Sequence, residues 1–594
     1  MSKRFVVIAI FIIASAIVGG TFGSGMRGYG SSAMQGNLPG AVDQSASVVN
    51  TSFSRNNNAI ASVEQAYQAA VEVVSNNYGG EVDYEKMNQA AIQGMLSALD
   101  PHSAFFPRPE FTKLREDQDS RFYGIGVNIL RHHDGVYVQS PVDNTPAARS
   151  GLRYGDRIVE VDGKDARDWT GEQVSKNVRG ARGEPVTIKI ERAGALAPLY
   201  FTIVRDAVPL PSIRNAFMVN PGTGYIGLQG GFTHTTGDEL RRAVGALKKE
   251  NLRQLVLDLR NNPGGLLDQA ITVAGQFLPR DHTIVSVRGR EYEQPRIYKN
   301  NEVDPEDFPL VVLINRNSAS ASEIVAGAIQ DHGRGLVVGE TSFGKGLVQR
   351  VFQLPFGTGL TLTTAKYYTP FGRLIQRDYT NGSLYDYYVR HDPEDDAQPT
   401  QPSRSASPTS STVPTQPTLA GPAAEPTPTP VPTGPAIRTA AGRVFYGGGG
   451  ITPDVEVKPL DASPLRARIS EAAFYFTREL AAGKLPGLEN YRVEQVQYGR
   501  FPRSTDFAVT DRVLEAFRNY LRRSPELQLT SAQADTDSEF ARLRIRTEVV
   551  TAAYGNEAGG RILLESDPQL GRSLEALPEA KRLAESIRRG TALS

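Results

Sequence analysis

The sequence predicts a multidomain protein of the α/β class, with a β-rich domain inserted ahead of the core and helical regions at both ends. Three observations lead there. At 594 residues the chain is too long for one hydrophobic core. Residues 122–205 alternate with the period of strands, as in Val136-Tyr137-Val138 and Val186-Thr187-Ile188-Lys189-Ile190. Beyond residue 220, apolar strands and amphipathic helices take turns, the pattern of a sheet covered by helices.

Composition narrows the function. Lys+Arg and Asp+Glu balance at 65 each, so no net field draws the chain to nucleic acid or anionic lipid. There is no cysteine, which excludes disulfides, thiolate metal sites and a cysteine nucleophile. Of the seven histidines only His132 and His133 are neighbours, and no HExxH occurs, so neither a metal nor another cofactor is expected.

Taken in order, Lys3 and Arg4 precede an apolar run from Phe5 to Val18, the layout of a secretory signal. The run is shorter than the ~20 residues that span a bilayer comfortably, and no Ala-x-Ala site follows it. A cleaved signal peptide and an uncleaved N-terminal anchor both stay open, and the anchor would be the only membrane contact. Residues 24–58, rich in Gly, Ser, Asn and Gln, read as a flexible tether. From Ala59 the spacing is helical, with Val63, Ala66, Tyr67, Ala70, Val71 and Val74 on one face. Residues 392–437 are dominated by Pro, Thr, Ser, Gln and Ala and read as a disordered linker. After it, Ser463-Pro464 opens the first of several amphipathic helices.

The chemistry gathers in two places. Strand Leu310–Ile314 runs through Asn315–Ala319 into a helix beginning near Ser320. A hydroxyl at a helix N-terminus stands beside orphan N–H groups that favour negative charge, a setting suited to an oxyanion. Read alone, Ser320-x-x-Glu323 is equally an ordinary capping box. The second place is Gly339-Glu340-Thr341-Ser342-Phe343-Gly344-Lys345-Gly346, which nearly matches a phosphate-binding loop. Gly346 stands where that loop needs a hydroxyl, and the strand-like Leu347–Leu354 follows instead of a helix, so nucleotide binding is not expected.

The string Ala147-x-x-x-Gly151-Leu152-x-x-Gly155-Asp156-x-Ile158-x-x-Val161-Asp162-Gly163 resembles a PDZ domain. More of the chain resembles the carboxyl-terminal processing peptidases, the tail-specific serine proteases. The likeness runs in order through Gly94–Ser103, the PDZ string, Gly224–Leu228, Leu257–Gly265, Ser318–Glu323, Gly344–Gly346 and Gly450–Asp454. It implies a crotonase-like α/β protease core with an inserted PDZ β-sandwich or barrel. It makes Ser320 the nucleophile and Lys345, 25 residues later, the general base. It also makes Gln349 the residue that orients Lys345; in an extended segment 345, 347 and 349 share one face. The oxyanion donors would be Ala321 N–H and a glycine N–H, from Gly264 or Gly265. Gly124-Ile125-Gly126-Val127 would receive a substrate's C-terminal carboxylate, since backbone N–H groups in such a loop bind anions. Arg179 matches a PDZ arginine that organises the protease site in some relatives.

A lysine must lose several pKa units to serve as a base at neutral pH, and burial with no carboxylate beside it would do this. In a rival Ser-His-Asp scheme, His332 lies too far along the helix, whereas His234 stays open. The expected organisation is a signal or anchor (1–23), tether (24–58), helical N-terminal region (59–119), PDZ domain (120–206), α/β protease core (207–391), linker (392–437), return to the core (438–460) and helical C-terminal domain (461–594). The expected function is an exported serine endopeptidase that recognises protein and peptide C-termini. A catalytically inactive PDZ scaffold is the alternative. Pairing with a second copy through the terminal helices, and an activating adaptor, are compatible with either.

Overall fold

The computed structural model describes residues 49–118, 120–379, 434–439, 442–503 and 505–589. The signal or anchor, the tether up to residue 48 and residues 392–433 of the linker lie outside the described residues. Helix α1 (Val49–Asn77) starts inside the stretch that reads as tether. The polar run 49–58 shows no apolar period, but a helix once nucleated extends through such residues at little cost. The side chains of Ile60, Val63, Tyr67 and Val74 on α1 are exposed. Helix α2 (Tyr84–Ser97) is capped by Asp83, which accepts the Lys86 N–H (3.0 Å). A tight turn follows, in which Asp100 Oδ1 accepts the N–H groups of His102 and Ser103, both at 2.8 Å. That turn leads to β1 (Ala104–Phe106) and α3 (Arg108–Gln118).

The β-rich domain leaves and re-enters the core through one neck. Strand β2 (Arg121–Gly124) precedes β3 (Val127–His132), β4 (Gly135–Pro141), β5 (Arg157–Val161), α4 (Gly171–Val178), β6 (Pro185–Glu191) and β7 (Leu199–Val204). Strand β8 (Asp206–Pro209) then pairs antiparallel with β2. Strands β3 to β7 form one antiparallel sheet in chain order. Its inward positions, among them Val136, Val138, Ile158, Val161, Ile188 and Ile190, make a separate small core.

The central domain is a six-stranded sheet. Its elements are β9 (Ile213–Asn220), β10 (Thr223–Leu228), α5 (Thr236–Lys249), β11 (Gln254–Asp258), α6 (Leu267–Gly275), β12 (Thr283–Gly289), β13 (Arg296–Lys299), β14 (Leu310–Ile314), α7 (Ala321–Asp331), β15 (Leu336–Gly339), β16 (Leu347–Gln353), β17 (Gly359–Tyr368) and β18 (Val455–Glu456). The sheet order is β9-β10-β11-β14-β15-β18, antiparallel only between β9 and β10. Strands β1, β17, β12 and β13 form a second, antiparallel sheet, with β16 also paired to β17. Strand β18 thus brings the chain back to the sheet after the linker.

Both faces of the central sheet are apolar, as parallel strands require. Leu255 and Leu257 face α5, α6 and α7, where Leu240, Val273 and Ile324 are buried. Val256, Val311 and Leu313 face the other way and meet Leu570, Leu577, Ala580 and Leu583. Those four belong to α12 (Pro568–Arg588), the last helix of the tail. The expected helical C-terminal domain (461–594) is therefore divided. Helices α8 (Pro464–Ala481), α9 (Asp511–Arg523) and α10 (Ser538–Tyr554) build a core of their own and α11 (Asn556–Leu564) follows, whereas α12 is the second cover of the protease sheet. Arg260 fastens it, pairing with Asp258 (2.7 Å) and reaching Asp567 (2.6 Å) and Gln569 (2.8 Å).

The tail helices also grip the β-rich domain. His132 stacks on Phe474 with ring centroids 3.7 Å apart, and its Nδ1 lies 2.6 Å from Glu471 Oε2. Tyr154 donates to Glu548 (2.9 Å), and Arg478 donates to the Gly155 carbonyl (2.8 Å). Among the described residues no helix is long and apolar enough to cross a membrane.

Candidate active site

Ser320 sits where β14 turns into α7, at φ +53° and ψ −111°. A positive φ is costly for a residue with a Cβ and marks a sharp strand-to-helix turn. Three contacts hold the turn in place. Ala319 N–H donates to the Asn262 carbonyl (3.0 Å), Phe343 N–H to the Ser318 carbonyl (2.9 Å), and Ser320 N–H to Glu323 Oε2 (2.8 Å). The flanking serines are spent on structure, because Ser318 Oγ donates to the Leu259 carbonyl (2.8 Å) and Ser322 Oγ to that of Asn262 (3.0 Å). Among the described residues no backbone carbonyl accepts the Ser320 hydroxyl, unlike those of Ser318 and Ser322.

Lys345 lies in the loop between β15 and β16 and is 1% exposed. Burial drives its pKa down to about 7, although the Glu323 and Asp100 carboxylates push the other way. The expectation of no carboxylate nearby therefore needs correcting. Two lie close enough to act on the amine, one from α7 and one from the turn before β1, and desolvation outweighs both. His102, from that same turn, is buried, and its pKa is lowered by burial first and then by Lys345 and Arg377.

Glu323 is the hub of the site. Its Oε1 accepts from Ser342 Oγ (2.5 Å) and Gly344 N–H (2.7 Å), and its Oε2 from Ser320 N–H and Lys345 N–H, each at 2.8 Å. One buried carboxylate thereby joins the turn of Ser320 to the loop of Lys345. Burial raises its pKa, and the donors around it counter that only in part. In the sequence this residue reads as half of a capping box. The one further signal is its place at the end of the Ser318–Glu323 string.

The oxyanion candidates separate. Gly264 N–H donates to Asn262 Oδ1 (2.9 Å), whereas among the described residues no acceptor is recorded for the N–H of Gly265 or of Ala321. Gly264 matters for its size. A Cβ there would stand 2.6 Å from Ser320 Cβ and 2.9 Å from Ala321 N. Gln349 is placed less simply. It is buried, but a bulge between Val348 and Gln349 breaks the alternation that would align 345, 347 and 349, and its carboxamide makes no hydrogen bond.

His332 caps the far end of α7, with Nε2 2.7 Å from the Thr283 carbonyl, and His234 is exposed. Neither stands in the contacts that hold Ser320. Residues 124–126 are buried, and among the described residues no acceptor is recorded for the N–H groups of Ile125 and Gly126. Val127 opens β3 directly after them. Arg179, which matches the arginine that some relatives use to organise the protease site, lies over the Phe122 ring at 4.1 Å, beside Gly124.

A buried serine at a helix N-terminus in an α/β core, joined to a small β domain, has the layout of a serine peptidase with a peptide-capture module. Residues 222–389 match peptidase family S41, residues 124–199 the PDZ domain, and residues 19–108 the activating protease CtpB N-terminal domain. The chain is 40% identical over 310 residues to the carboxy-terminal-processing protease of Bartonella bacilliformis, covering 51% of this chain and 70% of that relative. It is 33% identical over 327 residues to the carboxy-terminal processing protease CtpB of Bacillus subtilis, covering 54% and 67%. Among solved structures, the photosystem II D1 C-terminal processing protease is 31% identical, covers 52% of this chain and 83% of its own, and has a TM-score of 0.31. The chain belongs to the carboxy-terminal-processing proteases of peptidase family S41. It is a serine-type peptidase that carries a PDZ domain.

Proposed function

We propose that this protease cuts with a Ser320–Lys345 dyad after its PDZ loop has taken hold of the substrate's C-terminus, and that it works outside the cytoplasm. The observation that carries the dyad is a fully buried lysine with a pKa near 7, tied through Glu323 to the turn that presents Ser320. Ser320 Oγ attacks the scissile carbonyl and passes its proton to Lys345 Nζ. The oxyanion meets the N–H groups of Ala321 and Gly265, and the Lys345 ammonium then protonates the leaving amine. Water, deprotonated by the same amine, releases the acyl group. Export rests on the basic and apolar layout of residues 3–18. The exposed apolar stripe of α1 supports pairing with a second copy.

A fluorophosphonate probe tests the nucleophile. Wild-type protein is expected to be labelled and Ser320→Ala not, with Ser318→Ala and Ser322→Ala keeping at least part of the reactivity. Full proteolysis by Ser320→Ala would end the assignment.

Substrate capture has its own test. A terminal carboxylate facing the Ile125 and Gly126 N–H groups forms charge-assisted bonds worth roughly 1.5–3 kcal/mol each. An amidated end loses the charge and turns donors toward donors. A peptide with a free apolar C-terminus is therefore expected to show a kcat/KM about ten-fold or more above its amide, and removal of the PDZ domain should shrink the difference. Equal values in the intact enzyme would mean that the loop does not read the carboxylate.

A further inference from the structure

One face of the sheet beside the dyad carries buried polar atoms that the fold leaves unanswered. Gln349 on β16 stands opposite Thr363 on β17, and Val351 stands opposite Thr361, so the three polar side chains share a face. Gln349 Nε2 and Oε1 and the Oγ1 atoms of Thr361 and Thr363 are all buried without a hydrogen-bond partner. Nearly all buried polar groups in folded proteins find a partner, so four such atoms in one patch call for an occupant.

The surroundings of the patch are ordered. Ser103 Oγ accepts the Thr363 N–H (3.2 Å), and Ala104 stands opposite Thr361 on the other side of β17. Ala104 and Val351 pack with Leu266, the residue directly after Gly264 and Gly265. The unanswered groups therefore lie where the strand of Gln349 meets the loop of the oxyanion donors.

We propose that Gln349, Thr363 and Thr361 seat buried water beside the dyad, and that the two threonines are positioning residues aiming the Gln349 carboxamide at the Lys345 amine. The inference rests on the Ser320–Lys345 reading. A hydroxyl and a carboxamide each donate and accept, so together they offer water the two to four partners that it needs in an interior. With water on Nε2, Gln349 Oε1 is left to accept from Lys345 Nζ. The threonines make and break no bond. The proton still moves from Ser320 Oγ to Lys345 Nζ.

Idle threonines give a different result from positioning ones. Removing an unanswered buried hydroxyl should stabilise the fold and leave turnover alone. Under the proposal, Thr363→Val and Thr361→Val each lower kcat about five- to ten-fold, the worth of about one hydrogen bond, with KM within about two-fold. Because Oε1 facing the amine favours the ammonium, its loss moves the acid limb of the pH–rate profile to lower pH. Thr363→Ser and Thr361→Ser keep the hydroxyl and should restore both rate and profile. Valine variants with wild-type kcat and an unmoved profile overturn the proposal, and so do serine variants as impaired as valine ones. Fluorophosphonate labelling of wild-type Ser320 separates the two readings: its absence overturns the dyad and the water seat with it, whereas labelling beside unchanged valine variants removes the water seat alone.

Discussion

Lys345→Arg is expected to be as inactive as Lys345→Ala, because a guanidinium cannot release its proton to act as a base. With Lys345 as the proposed base, activity would require the neutral amine, so kcat/KM should rise with pH along an apparent pKa near the value of about 7 that burial imposes. His234→Ala should leave that limb unmoved, since the exposed ring lies outside the site. The same burial has a cost in stability. Lys345 titrates near 10.5 when unfolded and near 7 when folded. Between those values the unfolded chain holds more protons, so stability falls as pH drops from 10.5 toward 7 and the full penalty remains below that. Lys345→Met should therefore be inactive yet more stable at pH 7, by on the order of 4 kcal/mol, and urea titrations at pH 7 and pH 9.5 should show the gap narrowing as pH rises. A turnover-competent Lys345→Arg would show that another group takes the proton.

Glu323→Gln is expected to cost about 100-fold in kcat, roughly what two hydrogen bonds to a charged group supply. The substitution preserves shape and removes a charge that holds the Lys345 pKa up, so desolvation alone would argue for a better base. Geometry decides otherwise. Four donors converge on the two carboxylate oxygens, and three of them are backbone N–H groups. An amide nitrogen in place of either oxygen leaves at least one of them facing another donor, and an unanswered buried donor is costly. The Ser320 turn and the Lys345 loop then lose their common anchor. Slower fluorophosphonate labelling should accompany the fall in kcat, and a variant with wild-type turnover would demote Glu323 to an ordinary cap.

What could be read from the chain beforehand was local. The PDZ string and the Ser320 and Lys345 motifs occupy short contiguous segments, and their residue types carry the chemistry directly. Hidden features depend on partners far along the chain. Ser-x-x-Glu is the same four residues whether Glu323 caps a helix or bridges two loops, and only the return of Gly344 and Lys345 to it distinguishes the cases. Asp100 acts on Lys345 from 245 positions earlier. The bulge before Gln349 moves one side chain out of phase, and nothing in Leu347–Gln353 announces it. Strands such as Leu310–Ile314 are apolar at every position, so they reveal that both faces are covered without revealing by what.

That last cover sets a schedule. The helix over the second face of the protease sheet comes from residues 568–588, and Arg260, just ahead of the oxyanion loop, is held by Asp567 and Gln569. During synthesis the sheet waits bare on that side until residues 568–588 have emerged. Contacts that span some three hundred residues form late and slowly. The second cover of the protease sheet is therefore supplied by a segment that follows every strand of that sheet in the chain.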